Sequence, residues 1–164
     1  EMESFNGLRK ENMKVVRKSI KIAKKPRVYK SNQGWRIVGG RKIYFKSGWE
    51  VNFAIYLEFL KTKFQIKDWH YEPERFWFNA IKTGTRCYTP DFKIIRNNDT
   101  HYWVEVKGYM DSKSQTKIKR FNKYYPKEEL HIVQKQWFIE HKRRLPVLCD
   151  NWENDFTEGE KDVD

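Results

Sequence analysis

The chain has 164 residues, with 34 Lys and Arg against 22 Asp and Glu and a net charge of +12. Aromatic residues make up 16% and include seven Trp, which excludes a wholly disordered chain, and no apolar run reaches the roughly 20 residues of a membrane span. Two cysteines, Cys87 and Cys149, exclude a disulfide framework and a zinc-ligand spacing, while the positive excess favours a polyanionic partner, most often nucleic acid.

Bases are dense from Arg9 to Lys46, where only Glu11 opposes them. Residues 1–30 read as a basic arm, with a partial helix that Pro26 ends. Two apolar runs flank Gly39-Gly40 and predict a β-hairpin over 35–45. Trp49, Phe53, Tyr56, Leu57, Leu60 and Phe64 recur at helical spacing and predict a helix over 47–64, capped by Ser47. Loose alternation predicts a strand over 68–79, interrupted at Pro73. A turn over 81–85 leads to a strand over 86–95, and a five-residue turn over 96–100 leads to a strand over 101–108. A basic helix over 112–125 follows, with Ile118, Phe121 and Tyr125 inward, and Pro126 stops it. A last strand over 129–138 precedes a short helix and an acidic tail over 149–164. The domain organisation is therefore an arm, one folded domain over 31–148, and the tail.

The last two strands before the basic helix carry charge where a sheet favours hydrocarbon. Residues two apart share a strand face, so Trp103, Glu105 and Lys107 point one way while Val104 and Val106 point into the presumed core. The short turn makes the pair an antiparallel hairpin, which brings Asp91 and Glu105 to one end. Paired carboxylates repel unless a cation joins them, and oxygen-rich sites suit Mg²⁺ or Mn²⁺. A neighbouring lysine orients or deprotonates a water, or stabilises an oxyanion.

Pro90-Asp91 followed by Glu105-Val106-Lys107, in a hairpin and with Gly108 next, resembles the PD-(D/E)XK nuclease superfamily. The likeness spans residues 42–138 and is similar in wording to small phage-type endonucleases, of the junction-resolving or head-completion kind. It implies an α+β fold with an αβββαβ restriction-endonuclease-like core, a mixed central sheet flanked by helices. It implies a metal-dependent hydrolase that cuts DNA phosphodiesters. Asp91 and Glu105 would hold one or two Mg²⁺, with the Val106 carbonyl as a further ligand. Glu50 fills the place of the family's acid on the preceding helix and would complete the metal shell directly or through water, and Lys107 positions the nucleophile.

Other readings stand beside these. Ser47-x-x-Glu50 is also a capping box. Asp91 also suits a turn, and Glu105 with Lys107 a charged sheet face. Lys24, Lys25, Arg27 and Lys30 of the arm, and Lys113, Lys117, Lys119 and Arg120 of the basic helix, are the candidate phosphate contacts; a solvated helix face is the ordinary alternative for the second group. Trp35 and Trp103 are candidates for stacking on bases. Two rival functions are a DNA-binding module with a decayed nuclease fold and a sequence-specific restriction or homing enzyme. Cutting two opposed strands favours a homodimer, and a phage or replication protein is a further partner left open. The expected location is the cytoplasm, the host's if the chain is viral, since no signal-peptide pattern opens the sequence.

Overall fold

The computed structural model describes residues 32–153. Strands β1 (Gly34–Val38) and β2 (Arg41–Phe45) form the expected hairpin, with Trp35 opposite Tyr44. Gly39 and Gly40 take φ of 57° and 74°, the paired positive values that a tight turn between twisted strands requires. Helix α1 (Gly48–Thr62) starts at the predicted cap, where the Ser47 hydroxyl accepts the Glu50 N–H at 3.3 Å. Its buried face includes Val51, Phe53, Ala54 and Leu57.

Two predicted strands are each broken in two. The run over 68–79 becomes β3 (Asp68–Tyr71) and β4 (Phe76–Trp77), and the run over 86–95 becomes β5 (Cys87–Tyr88) and β6 (Phe92–Ile95). Proline offers no N–H to a ladder, so Pro73 and Pro90 each mark a place where the chain leaves one sheet for another. β4 and β5 pair with each other as a separate ribbon.

Strand β7 (His101–Lys107) pairs antiparallel with β6, helix α2 (Ser112–Tyr124) crosses over, and β8 (Leu130–Gln134) returns parallel to β7. The central sheet has the order β3-β6-β7-β8 and is mixed, as the crossover dictates. The predicted last strand stops at Gln134, and the rest of that run is helix α3 (Lys135–His141). Its Phe138 ring meets Trp49 of α1 at 4.6 Å, so those aromatics serve a helix face. Helix α4 (Leu145–Leu148) follows.

The fold is α+β, with helices on both faces of the mixed sheet, and β7 is covered on both sides. Val104 and Val106 join the core with α1 and Phe138, while Trp103 joins Phe76, Phe78, Tyr88 and Phe121 in a second cluster. The expectation of a half-buried strand was therefore too simple, and Trp103, at 1% exposure, has no face free for a base. Residues 149–153, read as part of the acidic tail, belong to the folded body. Cys149 is buried, Glu153 pairs with Arg36, and Asn52 exchanges two hydrogen bonds with the Glu153 backbone. Among the described residues no helix is long and apolar enough to cross a membrane.

Candidate active site

Four of the predicted residues converge at one end of the sheet. Asp91 lies just before β6, in the break that Pro90 opens, and its Oδ2 accepts the Val106 N–H of β7 at 2.7 Å. Lys107 Nζ lies 2.8 Å from Glu105 Oε1, an alliance along the strand's own face. Glu50 stands at the start of α1. Glu50, Asp91 and Glu105 are 7%, 6% and 4% exposed, so among the described residues three carboxylates are buried with a single ammonium to balance them.

Charge coupling among these groups has a direction. Burial, then the Glu105 and Glu50 carboxylates, push the Asp91 carboxyl well above the usual range, against the Val106 amide and Lys107. Burial pulls the Lys107 ammonium down, but Glu105, Asp91 and Glu50 outweigh it and hold the group above its ordinary value. Among these carboxylates Lys107 is a hydrogen-bond donor and positive charge, which favours the orienting role over the general-base one.

Two phenols that the sequence reading passed over as core aromatics complete the site. The Tyr88 hydroxyl donates to Glu105 Oε2 at 2.8 Å, and the Tyr71 hydroxyl donates to Glu50 Oε2 at 2.6 Å. Burial and the neighbouring carboxylates push both phenols upward, so they keep their protons and remain donors. Tyr71 is itself wedged between Phe45 and Phe92, at centroid distances of 4.8 and 5.4 Å.

The capping role of Glu50 is visible in its contacts. Its Oε1 accepts the Ser47 hydroxyl at 2.8 Å and its Oε2 accepts the Lys46 N–H at 3.0 Å, so it caps α1. Its charge also reaches Asp91, which a cap alone does not require.

The fit to a divalent cation rests on the acid excess. Among the described residues no three His, Cys, Asp or Glu side chains converge into a ready-made metal cage. The donors already on Glu50 and Glu105 explain part of this, since Tyr71, Ser47, Lys46, Tyr88 and Lys107 occupy those oxygens. Asp91 is different: among the described residues no donor reaches its Oδ1. A buried carboxylate beside two others must hold a proton or a cation, and hard oxygen donors suit Mg²⁺ or Mn²⁺. The chemistry of the residues fits such an ion, and Asp91, Glu105 and Glu50 are those that would hold it. Val106 contributes its N–H here; its carbonyl as a ligand rests on resemblance alone.

The candidate phosphate contacts divide. Lys24, Lys25, Arg27 and Lys30 lie outside the described residues. Lys113, Lys117 and Arg120 are spaced three or four apart along one flank of α2, and Lys119 faces outward, exposed. Arg120 also donates to the Thr85 carbonyl, which ties α2 to the loop before β5. No family model, no curated protein and no solved structure matches the chain.

Proposed function

We propose that the protein is a metal-dependent endodeoxyribonuclease of the PD-(D/E)XK type, with an αβββαβ restriction-endonuclease-like core. The observation that carries this reading is the buried trio Glu50, Asp91 and Glu105 around one lysine, at the open end of two adjacent strands. A module that only binds DNA has no use for it. Burying carboxylates beyond the number of cations destabilises the fold, and such strain gathers where chemistry is done. The element order α1, β3, β6, β7, α2, β8 supports the same core.

A divalent cation at Asp91 and Glu105 would lower the pKa of a bound water and stabilise charge on the cut phosphate. The protein's own groups do the remainder. Val106 N–H and Tyr88 fix the facing directions of Asp91 and Glu105. Lys107, held protonated, donates to the phosphate or to the attacking water and offsets charge as it develops. Tyr71 and the α1 cap hold Glu50 in place behind them. The flank of α2 that carries Lys113 and Lys117 suits phosphates of the duplex, a contact that sets position and reads no sequence. The small phage-type endonucleases are the sub-group that this size and wording favour.

Supercoiled, linear and four-way-junction DNA incubated side by side, with Mg²⁺ and with EDTA, tests the proposal. Cleavage of at least one with Mg²⁺ and none with EDTA is expected. Intact DNA in every lane, from a protein that melts cooperatively, would overturn it.

A further inference from the structure

The hairpin presents one face to α1 and another to solvent, and their chemistry differs. On the inner face Val38 and Phe45 are buried, and Arg36 and Arg41 are satisfied by Glu153, Glu58 and the Trp69 carbonyl. The outer face carries Trp35, Ile37, Lys42 and Tyr44. Trp35 is 60% and Tyr44 42% exposed, which is large for aromatics in a domain that buries Trp69 and Trp103 completely. The two rings sit across the strands at 5.5 Å, nearly perpendicular, and the Lys42 ammonium lies 5.2 Å from the Trp35 ring. Lys42 has no carboxylate partner among the described residues, whereas Arg36, Arg41 and Lys46 are paired with Glu153, Glu58 and Glu72.

The open end of the hairpin leads through Lys46 and Ser47 to Glu50. Trp35 and Tyr44 pair near the open end of the hairpin, next to Gly34 and Phe45. Tyr44 is two residues from Lys46, whose N–H bonds Glu50. A strand of nucleic acid resting on the hairpin would run from the aromatic pair toward the carboxylates.

We infer that the outer face of the hairpin is a stacking platform for an unpaired stretch of the DNA substrate, with bases on Trp35 and Tyr44 and a phosphate on Lys42. Every base has a π-face, so such a platform selects single-stranded character and no particular sequence. The unpaired Lys42 ammonium beside the two rings favours this occupant over an apolar peptide, since a phosphate is the partner such a cation takes. The substrate class becomes DNA with a single-stranded flank, bubble or branch beside the scissile bond. This deepens the nuclease reading and rests on it.

Binding is measured in EDTA, where no cleavage occurs, by fluorescence anisotropy of a labelled oligo-dT and of a blunt duplex. The W35A/Y44A double variant of the full chain should lose about 5- to 100-fold in affinity for oligo-dT. Its affinity for the blunt duplex should stay within about twofold, and W35F/Y44F should restore most of the loss because phenyl rings also stack. With Mg²⁺, the double variant should lose the wild-type preference for a flanked over a blunt substrate. Unchanged oligo-dT affinity would overturn the platform, as would equal weakening on both DNAs. If the alanine variant melts below the assay temperature, K42E decides: it should weaken oligo-dT binding more than duplex binding, and equal weakening overturns the platform. Absence of Mg²⁺-dependent cleavage, with these binding results intact, would instead overturn the nuclease reading.

Discussion

Two charge clusters flank α1, one near each end, and they are built on opposite terms. At the C-terminal end Arg41 and Lys61 face Glu58 and Asp68, two cations for two acids. Lys61 lies 2.9 Å and Arg41 3.7 Å from Asp68, Arg41 lies 3.4 Å from Glu58, and the Trp69 indole donates to Glu58 at 2.9 Å. At the N-terminal end Glu50, Asp91 and Glu105 share Lys107. Burial raises Asp68, but the Lys61 hydrogen bond, the Trp69 amide and the charges of Lys61 and Arg41 leave it below its ordinary value. Asp91 is driven the other way. A balanced, part-exposed cluster ties elements together, whereas a buried and unbalanced one is kept against stability, which is why the proposed function assigns it to chemistry.

The largest effect that separates the clusters is on turnover. Asp91→Ala and Glu105→Ala should reduce cleavage to the EDTA background, with DNA affinity within a few-fold of wild type. Glu58→Ala should cut normally. Single-turnover rates on plasmid DNA measure this, and an Asp91→Ala enzyme that cuts at near wild-type rate breaks the contrast.

Lys107→Ala should slow cleavage by about 10²- to 10³-fold, the usual cost of removing a donor aimed at developing charge. The Mg²⁺ concentration for half-maximal rate should change less, because the ammonium is no ligand. A variant that needs far more Mg²⁺ yet turns over normally at saturation would reverse these roles.

Glu50→Gln sharpens the comparison at the position that caps and also faces the acids. Gln keeps an oxygen for the Lys46 N–H and Tyr71 hydroxyl and turns its amide toward Ser47 Oγ, so the melting temperature should hold to within a few degrees. Cleavage should fall about 10- to 100-fold, as when a group behind a metal ligand is altered. Full activity would leave Glu50 a cap only.

The smallest effects are on stability, and their signs differ. For Asp91 the folded-state pKa is raised, so stability is fully present below the unfolded value near 4 and is lost as pH rises through the folded value. For Asp68 it is lowered, so stability is present above about 4 and lost as pH falls through the folded value. In EDTA at pH 8, Asp91→Asn should raise the melting temperature by about 2–4 °C per kcal/mol of repulsion relieved, while keeping the Val106 hydrogen bond. Asp68→Asn should lower it slightly, since a part-exposed pair contributes under about 1 kcal/mol. Calorimetry of both variants at pH 4 and pH 8 checks the signs.

Much of the architecture was legible in the sequence, because local signals agreed with tertiary ones. Ser47 and the helical spacing placed α1 within two residues, and Gly39-Gly40 placed the hairpin turn. The misread segments are those where a distant element decides. The run at 129–138 is apolar enough for strand or helix, and its second half is a helix that docks Trp137 and Phe138 on α1. Trp103 and Glu105 look like an exposed face until α2 and the β4–β5 ribbon cover them. The motif named Asp91, Glu105 and Lys107, but Tyr71 and Tyr88 were invisible as partners. A tyrosine in a strand reads as core, and nothing local tells which carboxylate its hydroxyl will meet.

The most direct test of the central claim is a melting curve of the full chain at pH 8 against Mg²⁺ concentration, for wild type and Asp91→Asn. An ion that binds only the folded state stabilises it in proportion to the logarithm of its concentration, by about 2.7 kcal/mol at 100 times its dissociation constant. Wild type should start below the variant in EDTA and rise with Mg²⁺, while the variant stays flat, so that the two curves converge or cross. A wild-type melting temperature indifferent to Mg²⁺ and Mn²⁺, or equal shifts in both proteins, would contradict the assignment of the buried acids as a cation site.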